Sequence, residues 1–515
     1  METEREILTE RDCYSLYSES VGDYTLPDYN TDVKRMLMTR AEAVSAGAFL
    51  NGDSLEVSGV VNYEVIYLDA DNEITSCSFS TDYDMAVRCQ ADSFAGGNAI
   101  TRVNGFTVRL TSPRRLSVKA QLVSDVNITE RDTLRVTGGA TDSEGAQLRT
   151  KTAKIERRVY TEPKEREFAE ELARIDGAIA DDVVVLYSDC LHDVSATHCS
   201  GGAEIAGKLT LRSFVKREGE LPSLYTKEIP FNETVSSDEL TADTSLVADV
   251  KITSVKVNVD PTEDGVALTC SVIAEYSVNG LKNESVPVVL DCYLTEREVI
   301  NEYEDFGYNE HIGVFSHSEN VEEDIPKTEL SSENIRELLL PNATVRVESV
   351  TPCGDTVDVH GILRFSGVAC EIYESGELGF TGIKQDIPFD ANVKCGCHIP
   401  GDANIICTPL VTSLTASATT ADICPSVTVL LRLSVNKQRS MARLLSSVPS
   451  DEPLVDKGAT VTVYYPCEKE SLYDVGRKFH TPTLDIAADN SLTEEVFAAD
   501  GESLTALGVK RLIIR

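Results

Sequence analysis

A glycine-centred stretch of alternating apolar and polar residues occurs three times in this chain, at intervals as long as a whole domain. Around Gly59 it reads DSLEVSGVVNYEVIYL (Asp53–Leu68), around Gly207 GAEIAGKLTLRSFV (Gly202–Val215), and around Gly361 DTVDVHGILRFSGV (Asp355–Val368). The glycines lie 148 and 154 residues apart, far beyond the ~20–50 residues of a solenoid unit. Some two dozen residues downstream stands an aromatic residue, Tyr83, Phe231 or Phe389, followed four places later by Val87, Val235 or Val393. In the second and third copies the aromatic ends an Ile-Pro-Phe triplet. The segments 32–37 (DVKRML) and 334–339 (NIRELL) precede the first and third glycines by equal distances. A chain of 515 residues, at ~100–200 residues per domain, therefore reads as three domains on one plan with a different tail.

The period-2 alternation and the abundance of Val, Ile and Tyr predict strands with one buried face. Turn-forming clusters at 51–53, 69–72, 217–220 and 374–377 separate the runs. The second half of each copy adds longer strands: 107–112 with 116–126, 250–259 with 266–278, and 410–419 with 427–435. Ahead of the tail, helices are expected only at the joints. Residues 163–176 begin with Pro163 and space Phe168, Leu172 and Ile175 helically, and residues 331–339 carry a serine start signal and stop before Pro341. Boundaries follow at 1–160, 161–305 and 306–448, with an acidic, Ser- and Pro-rich linker at 449–458 and a last module at 459–515. Within that module the pattern predicts a strand (460–465), two helices (471–480 and 483–490) and a closing strand (509–514). The expected fold is mainly β with minor α: three repeated, sandwich-like β domains followed by a small α+β unit of order βααβ.

Eighty-five acidic against 47 basic residues give a net charge of −38, which disfavours nucleic acid and anionic membrane as partners. No apolar run approaches the ~20 residues of a membrane span. The first residues, METEREILTERDC, carry acids where a signal peptide carries a basic region, so a cytoplasmic location with reduced cysteines is expected. Gly202–Lys208 matches the glycine and lysine spacing of a phosphate-binding loop, but Leu209 replaces the magnesium-holding Ser or Thr. Cys395, Cys397 and His398, like Cys190, His192, His198 and Cys199, lack the spacing of a zinc site. No nucleophile–base motif stands out. The reading is of a chain that is not an enzyme and has no catalytic residue, cofactor or metal. Exposed strand edges offer a route to self-association.

Two resemblances join these features. The stretch 464–490 (YYPCEKESLYDVGRKFHTPTLDIAADN) resembles a LysM module, with Glu470, Ser471 and Leu472 at its acidic–Thr–Leu step, Tyr473 at its usual aromatic and Asn490 at its closing asparagine. Leu512–Ile514 resembles the module's final strand, while Lys469 and Glu470 replace the Gly-Asp of the loop that lines the family's sugar groove. The segments 26–37, 57–68, 112–122, 229–231 and 387–389 resemble the SPOCS domain of spore-coat assembly proteins, and the likeness covers most of 20–440. SPOCS domains followed by LysM imply a coat-morphogenesis scaffold in the mother-cell cytoplasm at the forespore surface. The resemblance implies that its tail docks onto the morphogenetic ATPase there, with other coat proteins as further partners. Glu470, Ser471, Leu472, Tyr473 and Asn490 form the expected docking rim, although Leu472 also suits a core and Asn490 a helix cap. The competing expectation is a tail that grips peptidoglycan or another N-acetylglucosamine polymer.

Overall fold

The computed structural model describes residues 4–88, 94–330, 333–454, 461–493 and 503–515. It is mainly β, 74% strand against 5% helix, as the alternation predicts. The first six strands are β1 (Glu4–Thr25), β2 (Val33–Asn51), β3 (Ser54–Asp69), β4 (Ile74–Arg88), β5 (Phe94–Ser112) and β6 (Arg115–Arg135). They form two antiparallel sheets, β2-β3-β4 and β1-β6-β5. Alternate residues of β3 (Leu55, Val57, Val61, Tyr63) meet Val118, Ala120 and Leu122 of β6 in one core, the result of a period-2 pattern facing a second sheet.

Two further sets of strands follow. Next come β7 (Ala146–Tyr160), β8 (Lys164–Asp176), β9 (Val183–Cys199), β10 (Gly202–Arg217), β11 (Ser223–Ser236), β12 (Ser245–Pro261) and β13 (Gly265–Leu294). They give a β9-β10-β11 sheet facing β12-β13-β8. The third set is β14 (Arg297–Glu322), β15 (Ile325–Pro326), β16 (Ile335–Cys353), β17 (Thr356–Ile372), β18 (Leu378–Lys394), β19 (Asn404–Ala418) and β20 (Asp422–Pro453). Here β16-β17-β18 faces a sheet in which β20 pairs with β14, β15 and β19. In the three meanders Gly59, Gly207 and Gly361 lie directly opposite Tyr83, Phe231 and Phe389. A Cβ on Gly361 would come within 2.6 Å of the Phe389 ring, so the aromatic lies across the glycine and covers its strand.

Two features bind the sets together. The C-terminal ends of β3, β10 and β17 are buried on both faces: Ile66 and Leu68, Phe214, and Val368 and Cys370 share one apolar cluster with Leu186, Tyr187, Leu339 and Leu340. The long strands β13 and β20 also run on past these sheets as ribbons with β7 and β14. Ala153, Ile155, Val286, Val288 and Phe306 fill the space between these ribbons, and Leu134 of β6 packs against them.

Both helices expected at the joints are strands. Residues 164–176 form β8 on the edge of β13, with a bulge at Leu172 where Glu171 and Ala173 pair with adjacent residues of β13. Phe168 and Leu172 are four apart, which suits one face of a strand as well as of a helix, and the bulge then rephases Ile175 inward as a helical step would. Residues 335–339 belong to β16, where register shifts between Ile335 and Glu337 and between Leu338 and Leu340 disturb the alternation in the same way. Ser331 and Ser332, read as that helix's start, lie outside the described residues. The boundary at 160 coincides with the end of β7 before Pro163, whereas residue 305 lies inside β14. The segment read as linker is still strand β20 as far as Pro453, and 455–458 lie outside the described residues.

Candidate functional site

The last module contains β21 (Thr462–Tyr464), α1 (Leu472–Phe479), α2 (Thr483–Asp489) and β22 (Leu512–Ile514), with β21 antiparallel to β22. Ser471 starts α1 as its cap: the hydroxyl accepts from the Asp474 N–H and the Asp474 carboxylate accepts from the Ser471 N–H, a reciprocal capping box. Leu472, Val475, Ile486, Leu504, Leu512 and Ile514 make the core. Asn490 ties the two ends of the module, donating to the Ile486 and Ile513 carbonyls (2.8 and 2.7 Å) and accepting from the Ile513 N–H (2.6 Å).

Each of the five expected rim residues is therefore engaged within the chain. Glu470 accepts from the Tyr464 hydroxyl and the Cys467 N–H at 2.8 Å. Burial would raise its carboxyl, but those bonds and Lys478 hold it below the usual range. Ser471 caps, Leu472 is core and Asn490 is a clasp. Tyr473, 4% exposed, points out of the module and into the ribbons. Its ring meets Tyr293 edge-on at 5.1 Å, and its hydroxyl points to the Gln147 carbonyl at 3.4 Å. Burial, then the charge of Asp291, pushes its phenol well above the ordinary value.

Around Tyr473 a seat closes that sequence reasoning missed. Arg477 pairs with Asp291 at 2.5 Å, His480 meets the Leu294 carbonyl at 2.9 Å, and the Tyr293 hydroxyl donates to the Thr481 carbonyl at 2.9 Å. A Cβ on Gly476 would collide with the Tyr293 hydroxyl, so a glycine permits the approach. The seat joins residues 180 or more positions apart, and a single sequence carries no signal for such a pairing. What the module leaves in solvent is the outer face of its small sheet, where Val463 pairs with Ile513, both exposed, between Val461 and Tyr465. On another side the Leu504 N–H donates to the Glu470 carbonyl (2.8 Å) and the Lys469 N–H to the Ser503 hydroxyl (3.2 Å). The loop 469–470 is thereby bonded to the chain before β22.

The other motifs resolve locally. Lys208 lies in β10 and pairs with Glu228 at 2.5 Å. Cys395 is buried, Cys397 is exposed, and His192 is half-buried with its imidazole pushed down to about 4 by desolvation and by Arg432. Among the described residues no three His, Cys, Asp or Glu side chains converge as metal ligands, and no helix is long and apolar enough to cross a membrane. No family model and no curated protein matches the chain.

Proposed function

We propose that the chain is a non-enzymatic scaffold of spore-coat assembly, built of SPOCS-like units and a LysM-like tail, whose tail docks onto the morphogenetic ATPase of the forespore surface. The observation that carries this reading is the matched register of the three meanders, each with its repeated glycine facing an aromatic, ahead of a strand–helix–helix–strand module. Several binding units on one chain add avidity once a layer concentrates their partners. The bonded loop 469–470 supports a protein ligand over a sugar, because that loop lines the groove in glycan-binding LysM modules. With Tyr473 internal, the tail meets the ATPase through Val463, Tyr465 and Ile513, which are exposed.

The test uses the full chain. It should be retained by immobilised ATPase, lose that retention on Val463→Glu, and stay in the supernatant when purified peptidoglycan is sedimented. Sedimentation with peptidoglycan and no retention by the ATPase would transfer the assignment to a wall- or cortex-binding protein.

A further inference from the structure

A cleft of about 380 Å³ opens between the first two sheet pairs, lined by Tyr24, Tyr29, Glu64, Val185, Tyr187 and Val257 among others. Its lower wall is the outer face of β3, where Glu64 lies between Arg40 of β2 and Ser78 of β4 in the ladder. The far wall is supplied by β9 and β12, the latter giving only valines.

The charges around Glu64 do not balance. Arg212, 2% exposed, forks onto both Asp189 oxygens, with Nε–Oδ1 at 2.8 Å, and donates to the Pro341 carbonyl at 3.0 Å. Arg40 is spent on Asp189 (3.1 Å), on Glu42 (2.9 Å) and on the Tyr187 hydroxyl. Tyr187 itself donates to Asp189 at 2.8 Å. Two guanidinium groups thus serve three carboxylates, Glu42, Glu64 and Asp189, and Glu64 is the one to which no described residue donates a hydrogen bond. Its carboxyl is pushed up to about 7, first by burial, against the pull of Arg40 and with the push of Asp189 and Glu42. A half-buried anion without a donor is costly in proportion to its desolvation.

We propose that this cleft is a binding site for a primary alkylammonium group, the head of a lysine side chain or of a free diamine. The ammonium supplies the missing charge and donors to Glu64, the valines bed its methylene stem, and Tyr24 and Tyr29 line the same cleft. The net charge of −38 draws cations toward the cleft. The site stands apart from the tail and does not depend on the scaffold reading.

Calorimetric titration of the full chain at pH 8 with 1,5-diaminopentane, with Nα-acetyl-lysine N-methylamide and with 1-pentanol tests it. Both amines should bind saturably and the alcohol should not. Glu64→Gln, checked for an unchanged circular dichroism spectrum, should weaken both amines about tenfold or more, the worth of a charge-assisted bond. Wild-type affinity should also fall between pH 8 and pH 6 as Glu64 takes a proton. Among the groups that face it, Arg40, Glu42, Asp189, Arg212, Tyr24, Tyr29, Cys77 and Tyr187, none ordinarily titrates in that interval. Tighter binding of the lysine amide assigns the site to a partner's side chain, and tighter binding of the diamine to a free polyamine; either supports the proposal. Equal affinity for the alcohol, no saturation by either amine, or undiminished binding to Glu64→Gln would overturn it.

Discussion

Tyr473 packs against Tyr293 and Gln147, the latter 326 positions earlier in the chain. Some of its neighbours within the module were legible in the sequence: the helix over 471–480 and the asparagine that closes the second helix. Ser471, expected at a docking rim, instead caps α1. The direction of Tyr473 was not legible, because an exposed aromatic on a small module and an aromatic seated on another domain read alike. The geometry separates the contributions of its parts. The hydroxyl bond to Gln147 is long at 3.4 Å, beyond the range of a strong hydrogen bond, whereas the ring contact with Tyr293 is close and buried. Tyr473→Phe should therefore change little, within ~0.5 kcal/mol. Tyr473→Ala should cost ~2–4 kcal/mol of docking through lost area and ring contact. Hydrogen exchange at α1 and at 291–294 measures both. Equal protection in Tyr473→Ala and wild type would mean that the ring does not hold the module.

At the level of the element, the strands were legible wherever a sheet has one buried and one open face. They failed where a bulge intervenes, since a single extra residue turns a period of two into an apparent period near 3.6. β8 provides a sign test of the difference. Glu165 is exposed and lies directly opposite Glu275 of β13, and like charges at such a pair repel. In a strand, Glu165→Lys replaces that repulsion with attraction and should stabilise by ~0.2–1 kcal/mol. In a helix beginning at Pro163 the same lysine would sit in the first turn, against the helix dipole, and destabilise by ~0.3–1 kcal/mol. A denaturation midpoint that moves down rather than up would return this segment to a helix. The ribbons made by β13 with β7 and by β14 with β20 were illegible for a related reason. Their strands are uniform in pattern, so nothing in the sequence marks residue 305, within β14, as the inside of a strand.

For the whole molecule, the junction of the three sheet sets couples stability to pH through opposing groups. His192 is half-buried, and desolvation holds it near 4. A chain that unfolds takes up a proton there between about 4 and 6.5, so stability from His192 is lost as pH falls through that window. Glu64 acts in the other direction. Its folded value of about 7 lies above the 4.5 of a free glutamate, so the folded protein holds the extra proton and stability falls as pH rises from 4.5 to 7. Integrated over that shift the loss amounts to at most ~3 kcal/mol. Asp189, depressed because Arg212 and Arg40 outweigh its burial, adds stability that disappears only in acid below its ordinary range. The wild-type profile between pH 5 and 8 is therefore a sum of slopes that partly cancel, and a difference measurement isolates one of them. Glu64→Gln carries no proton to lose, so its stability relative to wild type should increase steadily from pH 4.5 to 7 and then level off, leaving the variant the more stable protein at pH 8. Thermal midpoints of both proteins across that range supply the comparison. A difference that stays constant with pH would show that Glu64 ionises in the folded chain as it does in water, and that the junction has no unmatched carboxylate.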